Sequence, residues 1–508
     1  MRGVLLSALV VVALAVGATS GAAAGAATDA DAPAVDADGH ARANATNATV
    51  GYFNGYWYDD PVRVDQSDGL NESERERYVS VTMARVEHVR DANFERYVPV
   101  DVVSRSEYAA NQSGGNATYN AWNDQVWQSL WIVGEDTNSS AALSAFYGSN
   151  VLGFYDSEAD SIKLVTNDPD EVYFDNATLA HELVHALQDQ RYNLSRAKYG
   201  GDTQDAQLAT SGLVEGEARY VEDRYVEQCG ETWTCPANPP SANGGTGGGD
   251  VNYGVQWVVY FPYADGPGYV ASLRERGGWD AVDAAWERPP NDTTAIIHHV
   301  GSVPSNVSVS DEATGGWETF PRQGSDTVGE ASIYSMFWYQ SYTTDAGVVD
   351  TGSLYENQGP YDSFNYSSAP SAGWAGDSVV PYRNPTVGED GYVWVTEWDS
   401  ERDASQFASA YRDVLDAHDA EQVSARTWVV SGGDPFADAY RLHVDGTRVV
   451  VVNGPDVDAV DAIRPGLASE EANATTMSRT TRASSPGFGV LAGLAAALGV
   501  LSLLRRRR

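Results

Sequence analysis

The chain has 508 residues, with 71 Asp and Glu against 32 Lys and Arg, and a formal net charge of −39. Lys163 and Lys198 are its only lysines. Such a surface has no basic patch to neutralise phosphates, which excludes nucleic acid as a partner; it suits concentrated salt, where a Debye length of ~3 Å screens self-repulsion, so the source reads as halophilic and archaeal.

Met1-Arg2, an apolar run from Val4 to Val16 and small residues through Ala27 predict a secretory signal peptide over residues 1–27. The apolar run is short for an uncleaved anchor. Residues 28–50, rich in Ala, Asp and Asn, read as a glycosylated spacer. Asn-x-Ser/Thr sequons recur, among them Asn44, Asn47, Asn111, Asn116, Asn365 and Asn473. A first domain is expected over residues 51–329. It begins with a helix from Glu72 to Arg90 and a strand from Val98 to Ser104. Asn150 to Val165 then reads as a hairpin around an Asp/Ser/Glu turn. That hairpin is either an ordinary piece of sheet or an edge that pairs with an extended peptide.

The next segment carries the chemistry. Thr178 to Gln190 contains HExxH inside a helix-forming run, preceded by Asp175 and Asn176 as N-cap residues. Four residues apart on a helix, His181 and His185 share one face and can hold one metal ion. Glu182 then lies beside the open side of that ion, where it can take a proton from an activated water. The sequons at Asn176 and Asn193 flank this helix and are expected to be poorly used. Asp189, one turn past His185, is a candidate to orient that ring. The run Gly212 to Glu222 reads as a second helix and offers Glu215 as the third ligand. The competing reading makes Glu215, Glu217 and Glu222 a solvated acidic face.

Cys229 and Cys235, the only cysteines, enclose a short loop and predict a disulfide in an oxidising compartment. A thiolate metal site would gather more ligands. Pro236 to Asp250 is a Gly/Pro/Asn loop, and Tyr260 to Arg288 reads as a helix broken around Gly277-Gly278. His298, in the following His298-His299 pair, is a candidate to stabilise a tetrahedral oxyanion, with a structural role as the alternative. Residues 330–467 predict a second, smaller α/β unit, a sheet with helices on one face, which carries no recognisable chemistry. Residues 468–485 read as a stalk. Residues 486–508 hold an apolar run to Leu504 and a basic end, just long enough to span a bilayer.

Several of these pieces resemble known families. Glu215-Gly216-Glu217-Ala218 is similar to the third-ligand helix of gluzincin peptidases. That match assigns the ligand to Glu215 and leaves Glu217 pointing elsewhere, while Val214 stands where those helices usually carry Asn. Pro486-Gly487-Phe488 resembles the archaeal PGF-type sorting signal, which implies a sorting enzyme that removes the tail and replaces it with lipid. The hairpin residues Gly153 to Asp156, the HExxH helix, Glu215 to Ala218, Pro289-Pro290 through His298, Gly373 to Asp377 and Trp398-Asp399 together resemble a group of prokaryotic zinc metallopeptidase-like proteins. The resemblance implies an α+β fold: a zincin-like metallopeptidase domain with the smaller C-terminal unit. It implies one Zn2+ per chain on His181, His185 and Glu215, with Glu182 as base. The expectation is a secreted, membrane-anchored peptidase acting on peptide or protein substrates. A zinc-stabilised adhesin or pseudopeptidase is the alternative.

Overall fold

The computed structural model describes residues 9–12, 45–111, 117–166, 168, 172–238, 251–301, 304–321, 323–356 and 359–468. The signal peptide apart from Leu9–Val12, most of the spacer and of the Pro236–Asp250 loop, the stalk beyond residue 468 and the C-terminal anchor lie outside the described residues. So do the sequons at Asn44, Asn116 and Asn473.

The chain is mixed α+β. Strand β1 (Leu9–Val12) precedes a two-stranded ribbon, β2 (Tyr52–Phe53) and β3 (Tyr56–Trp57). Helix α1 (Glu72–Arg90), strand β4 (Val100–Ser104) and helices α2 (Arg105–Asn111), α3 (Ala117–Ser129) and α4 (Ser139–Asn150) follow. The expected hairpin forms as β5 (Val151–Asp156) and β6 (Ser161–Thr166), with Gly153 opposite Leu164 and Tyr155 opposite Ile162. Together β1, β5, β6 and β4 make a four-stranded sheet in that order; β1 runs antiparallel to β5, and β4 parallel to β6.

A helical layer comes next: α5 (Asn176–Tyr192), α6 (Gln204–Glu227), α7 (Tyr253–Glu287) and α8 (Thr293–Ile297). Helix α1 carries a capping box, Asn71 with Glu74, which satisfies two N-terminal groups reciprocally. It is buried on most sides and sends two arginines inward. Arg85 donates to the Tyr58, Asp60 and Thr234 carbonyls, and Arg90 pairs with Glu217 and Asp283. Helices α6 and α7 cross with backbones in contact. A Cβ on Gly216 would overlap the Gly266 carbonyl, and one on Gly266 would overlap the Gly212 carbonyl. Only glycine permits that approach. Helix α7 starts at Tyr253, earlier than the sequence suggests. It breaks at Gly277-Gly278 as expected, Gly278 taking φ +68°.

The remaining chain forms β7 (Glu318–Thr319), α9 (Gly329–Thr343), β8 (Trp374–Asn384), β9 (Glu389–Trp398), α10 (Glu401–Ala417), β10 (Glu421–Gln422), β11 (Thr427–Val429), β12 (Ala439–Asp445), β13 (Arg448–Gly454) and α11 (Val457–Ile463). Its sheet has the order β10-β11-β12-β13-β9-β8-β7, antiparallel throughout. The expectation of helices on one face is corrected. Helix α10 packs Phe407 and Tyr411 under one face, against Trp394. Helix α11 packs Val460 and Ile463 on the other, beside Val393 and Val452. Tyr392-Val393-Trp394-Val395 is apolar at successive positions, so both faces must be covered.

The two expected units share one core. Trp131, just past α3, stacks on Tyr440 at 4.8 Å between centroids and donates Nε1–H to the Tyr411 hydroxyl at 3.0 Å. The large sheet takes in β7, upstream of residue 330, and α9 packs against both α7 and β8. Cys229 and Cys235 form a disulfide, with Cα atoms 5.4 Å apart. Among the described residues, no helix is long and apolar enough to cross a membrane.

Candidate metal centre

Helix α5 begins where Asp175 accepts the Thr178 N–H at 2.9 Å. The Asn176 side chain is buried, accepting the Tyr78 hydroxyl and donating to the Pro236 carbonyl, so that sequon is occluded. Asn193, at the other end, is exposed, so burial gives no reason for its exclusion. Between them, His181 and His185 point from one face of α5 into the protein, both buried. From α6, Glu215 reaches the same point. Its Oε2 lies 3.2 Å from Nε2 of His181 and 3.2 Å from Nε2 of His185. One ligand atom from each of the three residues lies within 4.8 Å of the other two.

The far side of each imidazole is also held. Nδ1 of His181 lies 3.0 Å from Glu222 Oε2, and Arg219 steadies that carboxylate at 2.6 Å. Nδ1 of His185 lies 3.0 Å from Gln188 Oε1, and the Gln188 amide donates to the Val214 carbonyl at 2.9 Å. Carboxylate and amide oxygens only accept, so both rings are assigned Nδ1–H, which turns the Nε2 lone pairs toward Glu215. Three lone-pair donors then converge in a buried spot. That arrangement is repulsive unless a cation or a proton lies among them, and the residues fit a metal ion. The protonation balance carries the same message. Burial opposes charge on His181, yet Glu215 and Glu222 lift the imidazole to about 10. Burial likewise opposes the Glu215 carboxylate, yet His185 and His181 draw it down to about 2.

Glu182 lies beside this group. Both of its carboxylate oxygens are buried and without a hydrogen-bond partner of ordinary geometry. Burial pushes its carboxyl up to about 7, against the pull of His185, His181 and the Tyr155 backbone N–H on β5. A buried carboxylate with so little hydrogen bonding is costly, and such groups mark sites of function more than of stability. Tyr263, from the α7 segment that crosses α6, lies with its ring centroid 6.3 Å from His181 and bonds through its hydroxyl to Glu215. Burial, then the Glu215 charge, pushes that phenol well above its usual range.

One sequence expectation is corrected. Asp189 does not orient His185: it accepts the Tyr155 hydroxyl at 3.0 Å and the Leu194 N–H at 2.8 Å, tying the end of α5 to β5. Gln188 takes the expected role. His298 is not part of the ligand group. It caps α8, and its Nε2 lies 3.0 Å from the buried Glu330. Three contributors escaped the sequence reading. Glu222 was legible, one helical repeat past Glu215 on the same side of α6. Gln188 was legible as the i+3 neighbour of His185. Tyr263 carries no local signal. Glu217 points away from the ligands, to Arg90 and the Trp286 indole N–H.

Residues 310–464 are similar to a family described as Domain of unknown function (DUF8575), a stretch that covers the large sheet and none of the ligand residues. No curated protein and no solved structure matches the chain.

Proposed function

We propose that the protein is a zinc-dependent peptidase whose centre is His181, His185 and Glu215, with Glu182 as the base. The observation that carries this reading is Glu182. A metal site serving only stability needs three or four ligands and no base; here a buried carboxylate with free acceptor capacity adjoins the ligand group. Two imidazoles and one carboxylate are the donor set of hydrolytic zinc sites with an open position. Zinc, when bound, supplies the Lewis acidity that activates a water and polarises a carbonyl.

The chain's own residues do the rest. Glu182, with a pKa raised toward neutrality by burial, accepts the proton of the attacking water and returns it to the leaving amine. Glu222 and Gln188 hold the two imidazoles in the tautomer that ligation requires. The Tyr263 hydroxyl donates to Glu215; turned from that carboxylate, it can donate to negative charge developing on the substrate oxygen. Strand β5 runs past Glu182, and its outer edge pairs with the extended segment Leu9–Val12. Removal of residues 1–27 as a signal peptide would free that edge for an extended peptide. The proposal includes export and anchoring, on the composition of the two terminal segments alone.

The test is metal analysis together with cleavage of a peptide library in high salt, on the natural chain and Glu182→Gln. The natural chain should bind one zinc and cleave. The variant should keep the metal and lose activity by ~10²–10⁴-fold. Equal cleavage by both proteins would defeat the mechanism, and no cleavage by either would favour the zinc-stabilised adhesin.

A further inference from the structure

We propose that a small carboxylate with an apolar body binds in a cavity between α1, α6 and α7, on the opposite side of α6 from the metal centre. The cavity has about 210 Å³ and is lined by His88 of α1, Tyr220 and Arg224 of α6, and Arg274 and Trp279 of α7, among others. Tyr220 and Arg224 lie on the side of α6 that directs Glu217 to Arg90. Glu215 and Glu222 leave the other side toward His181.

Four observations point to an anion. First, no Asp or Glu lines the cavity, although the chain carries 71 of them. Second, Arg274 has no carboxylate partner among the described residues, and its buried Nε makes no hydrogen bond. An arginine left unpaired in so acidic a chain has donors to spare. Arg224, by contrast, is partly satisfied by Glu227 at 2.8 Å and by Tyr361. Third, Trp279 has guanidinium groups at 4.2 Å (Arg90) and 4.1 Å (Arg274) from its ring centroid. The contact with the ring positions Arg274 and leaves its unpaired N–H groups for a planar carboxylate. Fourth, the helix breaks between the two key residues. Gly277 and Gly278 depart from helical geometry; a Cβ on Gly277 would meet the Ala281 Cβ at 3.1 Å, and Gly278, at φ +68°, is in the backbone region that favours glycine. The break turns Trp279 back toward Arg90, and a local departure of this kind recurs at binding sites.

The cavity, partly open to solvent, has room for a group about the size of one amino-acid residue. The walls set its chemistry: a carboxylate on Arg274 and an apolar group against Val89 and the Tyr220 and Trp279 rings, which meet edge-on at 6.0 Å. Two sources share that chemistry, a free acid and the C-terminal residue of a peptide.

Equilibrium dialysis in high salt distinguishes them. The probes are 3-phenylpropionate, 3-phenylpropionamide, and a short peptide ending in Phe with a free or an amidated C-terminus. The host is the metal-loaded Glu182→Gln chain, so that no probe is turned over. Binding of an acid with at least about tenfold loss for its amide, and about ten- to hundredfold loss in Arg274→Gln, is the expected result. The tighter of the two acids identifies the source. Acid binding that survives Arg274→Gln belongs to the metal centre and overturns the proposal. So does equal binding of acid and amide, or no binding of either acid. A circular-dichroism melt of Arg274→Gln checks that it folds; if it does not, Arg274→Lys, which keeps charge but loses the planar fork, should weaken binding of the acids while leaving the melt unchanged.

Discussion

His181 is gripped from both sides of its ring by a single helix: Glu222 Oε2 lies 3.0 Å from Nδ1 and Glu215 Oε2 lies 3.2 Å from Nε2. The two glutamates are seven residues apart, two turns of α6, so they share a side and bracket one imidazole from α5. One carboxylate is suited to be a ligand and the other to orient a ligand. Removing them should therefore have different consequences.

Glu222→Ala should leave the fold and all three ligands in position but weaken metal binding by ~10–100-fold, the usual effect of losing the group behind a ligating histidine. Competition with a chelator reads the affinity. Unchanged affinity would mean that Glu222 only pairs with Arg219.

Glu215→Ala and Glu217→Ala separate a ligand from a structural acid. Glu215→Ala should lose the metal. Glu217→Ala should keep it but destabilise the fold by ~3–5 kcal/mol, because it strips a partner from the buried Arg90 guanidinium. Asp283 and Tyr192 still hold Arg90, which limits the damage. Metal content and denaturation midpoints measure the pair. Metal loss in Glu217→Ala with retention in Glu215→Ala would reverse the assignment.

Tyr263→Phe removes only a hydroxyl. If that hydroxyl stabilises developing charge, kcat should fall by ~10²-fold with KM nearly unchanged and the metal retained. A rise in KM alone would make Tyr263 a substrate-binding wall. Loss of metal would make it a support for Glu215.

How much of this centre was legible follows from sequence distance. His181, Glu182 and His185 are one helical turn, so their spacing alone defines their geometry. Glu215 needed only a second helix with a familiar pattern. Asp189 and Gln188 could not be told apart, because both lie about one turn from His185. The choice is made by Val214, whose carbonyl on α6 receives the Gln188 amide. Tyr263 was out of reach, since it depends on Gly212, Gly216 and Gly266 letting two helices touch. The contact that His298 makes was not legible, because its partner, Glu330, lies on the next long helix and reads there as an ordinary N-terminal acid. In the large sheet, the strands were readable from β-branched and aromatic runs. Their two-sided burial was visible in Tyr392 to Val395 only once the lack of alternation is weighed.

Asp438 should give the fold a pH dependence away from the metal centre. It is buried just before β12, where the Asn453 side-chain amide donates to its carboxylate at 2.8 Å. Burial pushes its carboxyl up to about 8 from an ordinary 3.8; the Asn453 bond opposes that rise, and Glu135 and Glu389 add to it. The folded chain therefore holds a proton that the unfolded chain releases. The contribution of Asp438 to stability is complete below about pH 4 and is lost as pH rises through about 8. Asp438→Asn keeps the shape and the acceptor oxygen but cannot ionise. The advantage of the variant in thermal midpoint should be larger at pH 9 than at pH 5, because each pH unit between 5 and about 8 removes ~1.4 kcal/mol from the natural chain, on the order of 4 kcal/mol in all. Melting both proteins in the same high salt at the two pH values measures the difference. A gap that is the same at both would show that Asp438 is already ionised in the folded chain at pH 5, with Asn453 outweighing burial.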